Sequence, residues 1–294
     1  MSEPFFSVVV PTFERPRQLL GCLAALTAQD YPATRFEIIV VDDGSSANTA
    51  AEVAQVVTEA RGRLLRQSNR GPAAARNYGA REARGDYLAF TDDDCLAAPD
   101  WLRRLAATIE RAPDHAIGGR TINGIAANAF SEGSQVLIDY LYAYYDGRKG
   151  AFFTSNNVAL PRRVFEAIGG FDERFRMPGA EDRELFDRWR FHGHGSLHDG
   201  DAVVYHYHAL RLRSFWRQHL TYGRGAWYYR VARAQREQAR VRLEPMHFYG
   251  RLLAFPFTRT RVPAALVHAM LLFASQIATG TGFFYERLRH AGRG

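Results

Sequence analysis

The sequence predicts a doubly wound α/β fold followed by a basic helical tail. Three observations predict it: short β-branched apolar runs that stop abruptly in polar residues, helix-period segments between them, and a switch to arginine and aromatic residues after about residue 211. Phe5–Val10 (FFSVVV) and Phe36–Val41 (FEIIVV) are near-continuous apolar runs of the kind buried in parallel sheets. Helical periodicity predicts helices over Pro16–Gln29, Thr49–Arg61, Pro72–Ala83 and Asp100–Arg111, with further strands at Leu64–Gln67 and Tyr87–Thr91. Strand alternating with helix gives a mostly parallel sheet whose ligands sit beyond the carboxyl ends of the strands. After about residue 115 the alternation weakens into Ala116–Ile122, an aromatic stretch at Tyr140–Tyr145, a strand-like Phe152–Leu160 and a helix near Ala180–Phe191. The expected division is one domain over 1–210, in two halves at 1–115 and 116–210, and an extension over 211–294.

Composition narrows the class. The 294 residues are 47% hydrophobic and 23% charged, an ordinary globular balance that excludes disordered and collagen-like chains. The net charge of +7 is unevenly placed: successive thirds carry −4, 0 and +11, and Lys149 is the only lysine among 38 basic residues. Two cysteines, Cys22 and Cys95, are too few for a disulfide framework, and MSEPFFSVVV lacks the basic, long-apolar pattern of a secretory signal. A reducing, cytoplasmic setting is therefore expected. A P-loop is absent, and Lys149 stands in DGRKG outside any strand-to-helix glycine loop. No GxGxxG follows the first strand and no GxSxG occurs, which disfavours nicotinamide dehydrogenases and α/β-hydrolases.

The strand ends carry the chemistry. The first strand runs into Pro11-Thr12-Phe13-Glu14, the second into Asp42-Asp43-Gly44-Ser45, and the strand at Tyr87–Thr91 into Asp92-Asp93-Asp94-Cys95. Three adjacent carboxylates repel one another unless protons or a cation compensate. Hard oxygen donors favour Mg²⁺ or Mn²⁺, although a solvated acidic turn has the same sequence.

Taken in order, VVVPTFERP, VVDDGS, NRGPAAARNYGAREARGDYLAFTDDDC, TSNNVALPRRVFEAIGGFDERF, GAEDRELFDRWRFHG and VVYHYH resemble the inverting glycosyltransferases of family 2, which have the GT-A nucleotide-diphospho-sugar fold. The resemblance implies a nucleotide-sugar site at Pro11, Thr12, Phe13 and Glu14, with Asp42 accepting a hydrogen bond from the base. Where family members often have Asn, this chain has Glu14. It further implies donor contacts at Gly71, Arg76, Asn77, Asp92, Asp93 and Asn157. Asp94 is implied as a ligand of the metal bridging the diphosphate, with Asp92 beside it. Asp182 is implied as the base that deprotonates the acceptor hydroxyl, with Glu181 orienting it; a carboxylate at a helix N-terminus is also stabilised by the helix dipole. A strand over HYH would put His206 and His208 on one face, and the resemblance makes His208, then His206, a further metal or diphosphate contact. The cofactor implied is Mn²⁺ or Mg²⁺, and the partners are a nucleoside diphosphate sugar and a glycan or lipid-linked acceptor, with no nucleic acid. A sugar nucleotidyltransferase on the same fold stays open here, although PTFERP lacks the glycines that grip a triphosphate; so does a non-catalytic membrane adaptor.

In the tail, Leu212, Phe215, Trp216, His219, Leu220 and Gly223 follow helical spacing with Arg211, Arg213, Arg217 and Arg224 on the flanks. Val262–Tyr285 contains no charged residue and is long enough to span a bilayer, yet Pro263, His268, Gln276, Gly280 and Gly282 interrupt it and arginines flank both ends. An in-plane or re-entrant segment on an anionic surface is expected, peripheral at the inner face of the cell membrane, with packing in the core or a dimer and a true span as the alternatives.

Overall fold

The computed structural model describes residues 3–147, 151–241 and 243–291, so Lys149 lies outside the described residues. The apolar runs form β1 (Phe6–Thr12) and β2 (Phe36–Asp42), joined by α1 (Pro16–Thr27), whose proline stands in the first turn where its missing N–H costs nothing. Then come α2 (Ala47–Glu59), β3 (Arg63–Arg66), α3 (Pro72–Arg81), β4 (Tyr87–Phe90), β5 (Cys95–Ala97) and α4 (Trp101–Arg111). β6 (Ala116–Asn123), α5 (Ala129–Tyr145), β7 (Val158–Pro161) and α6 (Arg162–Ala167) follow, and then α7 (Glu181–Phe191) and β8 (Ser196–His206). The chain ends in α8 (Leu212–Arg236), α9 (Met246–Ala254), a 3₁₀ turn at Phe255–Thr258 and α10 (Val262–Ala291).

One eight-stranded sheet has the order β3-β2-β1-β4-β7-β6-β8-β5. It is mixed: β3-β2-β1-β4 is parallel, whereas β4 with β7, β6 with β7 and β5 with β8 are antiparallel. The predicted parallel pattern therefore describes the first half of the chain, and the hydrophobic alternation weakens where the strands turn antiparallel. In register, Thr12 faces Asp42 across β1 and β2, and β4 pairs with β1 up to Phe90, so the polar clusters that follow all three strands emerge at one sheet edge.

Two compact units are discontinuous in sequence. The first comprises residues 1–122, 153–176 and 188–207, and the second comprises 123–152, 177–187 and 208–294. In the first, Phe6, Val8, Val10, Leu19, Leu23, Leu26, Trp101, Leu102 and Leu105 are fully buried together on one face of the sheet. On α3 the buried residues include Ala73, Ala74, Ala75, Gly79 and Ala80, and the missing side chain of Gly79 lets the helix backbone lie close to Val9 and Val41.

The second unit is helical. The aromatic stretch forms the last turns of α5, where Tyr140 packs edge-on against Phe248 and Phe255. α8 and α10 approach through glycine: a Cβ on Gly223 would sit 1.9 Å from the Thr279 carbonyl oxygen, and one on Gly282 would sit 2.0 Å from that of Leu220. Glu286 is buried on the same side of α10 and accepts from Arg224 at 2.6 Å. The opposite side presents Val262, Leu266, Met270, Phe273, Ile277, Phe284 and Leu288 to the outside. The predicted interruptions do not break the helix: Pro263 stands in its first turn, and α10 is continuous for 30 residues.

Gly223→Leu tests this packing. Overfilling a core typically costs about 1–3 kcal/mol, and a backbone obstacle cannot yield as a side chain does. The expected result is a lower chemical-denaturation midpoint, while a control substitution at Gly250, where an added Cβ meets nothing within 4 Å, leaves it nearly unchanged.

Candidate active site

The first unit gathers the acidic strand ends. Thr12 ends β1, and its Oγ1 donates to Asp93 Oδ2 at 2.8 Å. The turn after it holds Glu14 at φ 56°, with the Glu14 N–H on Ser45 Oγ at 2.9 Å and its carboxylate accepting from the Ser46 N–H at 2.6 Å. Hydrogen bonds from Thr49 and Ser46 hold the exposed Glu14 carboxyl below the usual glutamate range. Pro11 is half-buried and Phe13 is 45% exposed beside this turn.

The adjacent aspartates of β2 divide their work. Asp43 accepts from Gln67 Nε2 at 2.8 Å, the Arg70 N–H at 2.9 Å and the Gly71 N–H at 2.8 Å, which shapes the loop into α3. Asp42 accepts from the Ser45 N–H at 2.9 Å and has Arg66 Nε at 3.4 Å. Arg76, buried on α3 over the Phe171 ring, donates to Asp92 Oδ1 at 2.6 Å. Asn77 bonds both ways with the Phe171 backbone, at 2.8 Å each, and reaches Glu173 at 3.1 Å, so it braces the 171–173 segment.

Arg15 is the site residue that the sequence reading left without a role. Its Nη1 lies 3.2 Å from Asp93 Oδ1 and 3.0 Å from Asp94 Oδ2, compensating two of the clustered charges at once. Its position directly after Glu14, in the turn that leaves β1, was the available signal. Burial is the main cause that pushes Asp93 up to about 7; Arg15 and Thr12 oppose it, and Asp94 and Asp92 reinforce it. Asp94 Oδ1 lies 3.2 Å from His206 Nε2, and the Asp94 carbonyl accepts from the Tyr207 N–H at 2.8 Å. Burial works against a charged His206, but the hydrogen bond and charge of Asp94 outweigh it and hold the imidazole above its ordinary range.

Donor atoms of Asp94, Cys95 and His206 lie within 4.8 Å of one another, a spacing that one metal ion fits. Burial, then the nearby aspartates, keeps the Cys95 thiol well above its usual pKa, so carboxylate and imidazole are the donors available at neutral pH. A carboxylate with an imidazole suits a first-row divalent ion such as Mn²⁺.

Asn157 is fully buried: its Oδ1 accepts from Trp101 Nε1 at 2.8 Å, and its Nδ2 donates to the carbonyls of Arg120 at 3.0 Å and Ala202 at 2.9 Å. Both amide N–H groups and the amide oxygen thus tie β7's start to the surrounding backbone and Trp101. β8 ends at His206, and the His208 carbonyl accepts from Ser131 Oγ, both residues of the second unit.

The second unit carries Glu181 and Asp182 in the first turn of α7, where the dipole favours negative charge. Glu181 Oε2 accepts from the Gly179 N–H at 2.7 Å, and Asp182 Oδ1 from the Arg183 N–H at 2.7 Å. Asp182 is partly exposed, whereas Glu181 is buried.

The parallel half-sheet thus ends in a Thr-Asp-Asp cluster with an imidazole beside it. The chain belongs to glycosyl transferase family 2, whose model matches residues 7–169; a second model, described as the N-terminal domain of galactosyltransferase, matches 138–202. Relatives include validoxylamine A glucosyltransferase of Streptomyces hygroscopicus, 32% identical over 65% of this chain and 52% of its own length. Glycosyltransferase AglE of Haloferax volcanii is 36% identical over 40% of this chain and 39% of its own. The chain thus spans about half or less of the length of these relatives. Among solved structures, mannosyltransferase PcManGT from Pyrobaculum calidifontis, in complex with GDP-Man and Mn²⁺, has a TM-score of 0.64 at 19% identity over 95% of this chain and 88% of that one. TarS 1–349 of Staphylococcus aureus, in complex with UDP-GlcNAc, has a TM-score of 0.55 at 18% identity over 98% and 92%. At such identities these structures show the fold, and the matched model shows the family.

Two outcomes follow. Asn157→Ala should lower the unfolding midpoint, since stranding a buried indole N–H and two carbonyls costs about 1–3 kcal/mol per group, while donor affinity measured by calorimetry stays within a factor of two. With divalent ions chelated, folded Asp93 keeps its proton up to about pH 7, whereas an ordinary aspartate loses it near 3.8. Its contribution is therefore a stability that falls as pH rises through that window, and Asp93→Asn should remove that part of the slope.

Proposed function

We propose that the protein is a metal-dependent inverting glycosyltransferase that moves a sugar from a nucleoside diphosphate to the hydroxyl of a cell-envelope glycan or lipid-linked saccharide. The observation that carries this reading is the Asp94–His206 pair, set beside Arg15 where the parallel strands end. Pro11, Thr12, Phe13, Glu14 and Asp42 are read as lining the nucleoside pocket, and Gly71, Arg76, Asp92 and Asp93 as facing the ribose and diphosphate. Asp94 and His206, with Asp92 beside them, would hold Mn²⁺ or Mg²⁺, which when bound neutralises charge on the diphosphate. The manganese of the PcManGT complex supports the first of these metals.

Asp182 is assigned as the base. It accepts the acceptor hydroxyl's proton as that oxygen bonds to the anomeric carbon, and the bond from that carbon to the diphosphate oxygen breaks on the opposite face. Arg76 and Arg15 are the resident cations next to which the leaving diphosphate gains charge. Glu181, bound to the Gly179 N–H, keeps Asp182 at the helix start.

The outward side of α10 supports a place on an anionic bilayer. Its length and apolar composition suit a span, but its inner side is committed to α8, which carries six arginines. Exposed Arg259, Arg261, Arg287 and Arg289 at its ends complement anionic headgroups, an arrangement for lying in the membrane plane.

The test is a thermal-shift and turnover series with UDP, GDP, CDP and dTDP sugars and Mn²⁺. One nucleotide should raise the midpoint clearly above the others. Asp182→Asn should retain that shift and lose about a hundredfold or more in turnover, a typical share for general base catalysis, whereas Asp94→Asn should lose both. Full turnover in both variants would overturn the reading.

A further inference from the structure

The turn that delivers Asp182 is held from outside by α8. Gly179 and Ala180 precede α7 at φ 142° and 67°; for alanine the left-handed region is costly, so the surroundings must impose it. Glu181 closes the turn internally through the Gly179 N–H. From the other side, the α8 backbone reaches the turn at Gly225, where a Cβ would stand 1.9 Å from the Gly179 carbonyl oxygen. Any side chain at position 225 would displace the peptide that sets the start of α7.

The rotation of α7 is fixed by the same helix. Arg236, in the last turn of α8, forks across Glu184 and Asp187, both buried, and Arg233 Nε lies 3.6 Å from Asp187. These acids stand at i and i+3, so one guanidinium grips a single face of α7 over a full turn. Arg183, next to Asp182, is packed among the rings of Tyr145, Phe152 and Tyr229 at 5.3, 5.1 and 5.1 Å, the last of them also on α8. Burying acids and guanidinium together costs desolvation that a hydrophobic contact would avoid, which points to orientation rather than stability as their use.

We propose that Gly225 and Arg236 are positioning residues for the base: Gly225 sets where the turn at 179–180 sits, and Arg236 sets the rotation of α7 that aims Asp182. This rests on the assignment of Asp182 as the base. On this view the arginine-rich helix of the tail is part of the acceptor-side machinery, and its charge serves an internal purpose at this end.

The experiment compares Gly225→Ala, Arg236→Lys and the neutralised triple substitution Glu184→Gln, Asp187→Asn, Arg236→Met in the full chain. The triple removes the fork without leaving a buried charge, so it keeps the question open if the single variants fail to fold. Expected are a kcat lower by about tenfold or more, a donor Kd unchanged within about twofold, and faster amide exchange confined to 179–187, with Arg236→Lys intermediate. Wild-type kcat and unchanged exchange in the folded triple variant would overturn the proposal. Full turnover by Asp182→Asn would instead remove the base assignment, while exchange at 179–187 would still report whether α8 holds the turn.

Discussion

Asp92, Asp93 and Asp94 follow one another at the end of a buried strand, and their mutual repulsion is the constraint around which the first unit is arranged. Each carboxylate has a compensating partner: Arg76 for Asp92, Thr12 and Arg15 for Asp93, Arg15 and His206 for Asp94. The partners come from α3, the end of β1, the turn after it and the end of β8, so the cluster can exist only once the sheet has brought those elements together. Compensation is incomplete at Asp93, where burial still pushes the carboxyl up to about 7. A site built this way suits a divalent cation and a diphosphate, which bring the remaining positive and negative charge as a pair.

The second unit solves a different problem, the placing of a few acidic side chains on a helix start. Glycine at 223, 225 and 282 lets backbones meet where side chains would separate them, and arginines at 224, 233 and 236 tie the helices by buried charge. The outward side of α10 takes no part in this packing and stays apolar. The same tail thus carries two kinds of arginine, internal pins on α8 and exposed flanks around α10.

Much of the fold was legible because hydrophobic periodicity is strong where strands are buried on both faces: β1, β2, α1, α3 and α4 fall within two residues of their predicted bounds. Legibility failed where tertiary contacts decide. The Tyr140–Tyr145 stretch is the end of a helix, and its aromatic residues answer to Phe248 and Phe255, far away in sequence. Asn157, given as a donor contact by the resemblance alone, bonds Trp101, Arg120 and Ala202, partners that no local pattern announces. Arg15 went unread because nothing local shows that a turn arginine will fold back onto carboxylates 78 and 79 residues away.

The central claim is the proposal that the acidic cluster is completed by a cation and a diphosphate together. Titration calorimetry of Mn²⁺ into the protein, with and without the nucleoside diphosphate that gives the largest thermal shift, tests it most directly. Reciprocal tightening is expected, at least about tenfold for each ligand in the presence of the other, as linkage requires. Mn²⁺ affinity that is the same with and without the nucleotide would contradict it.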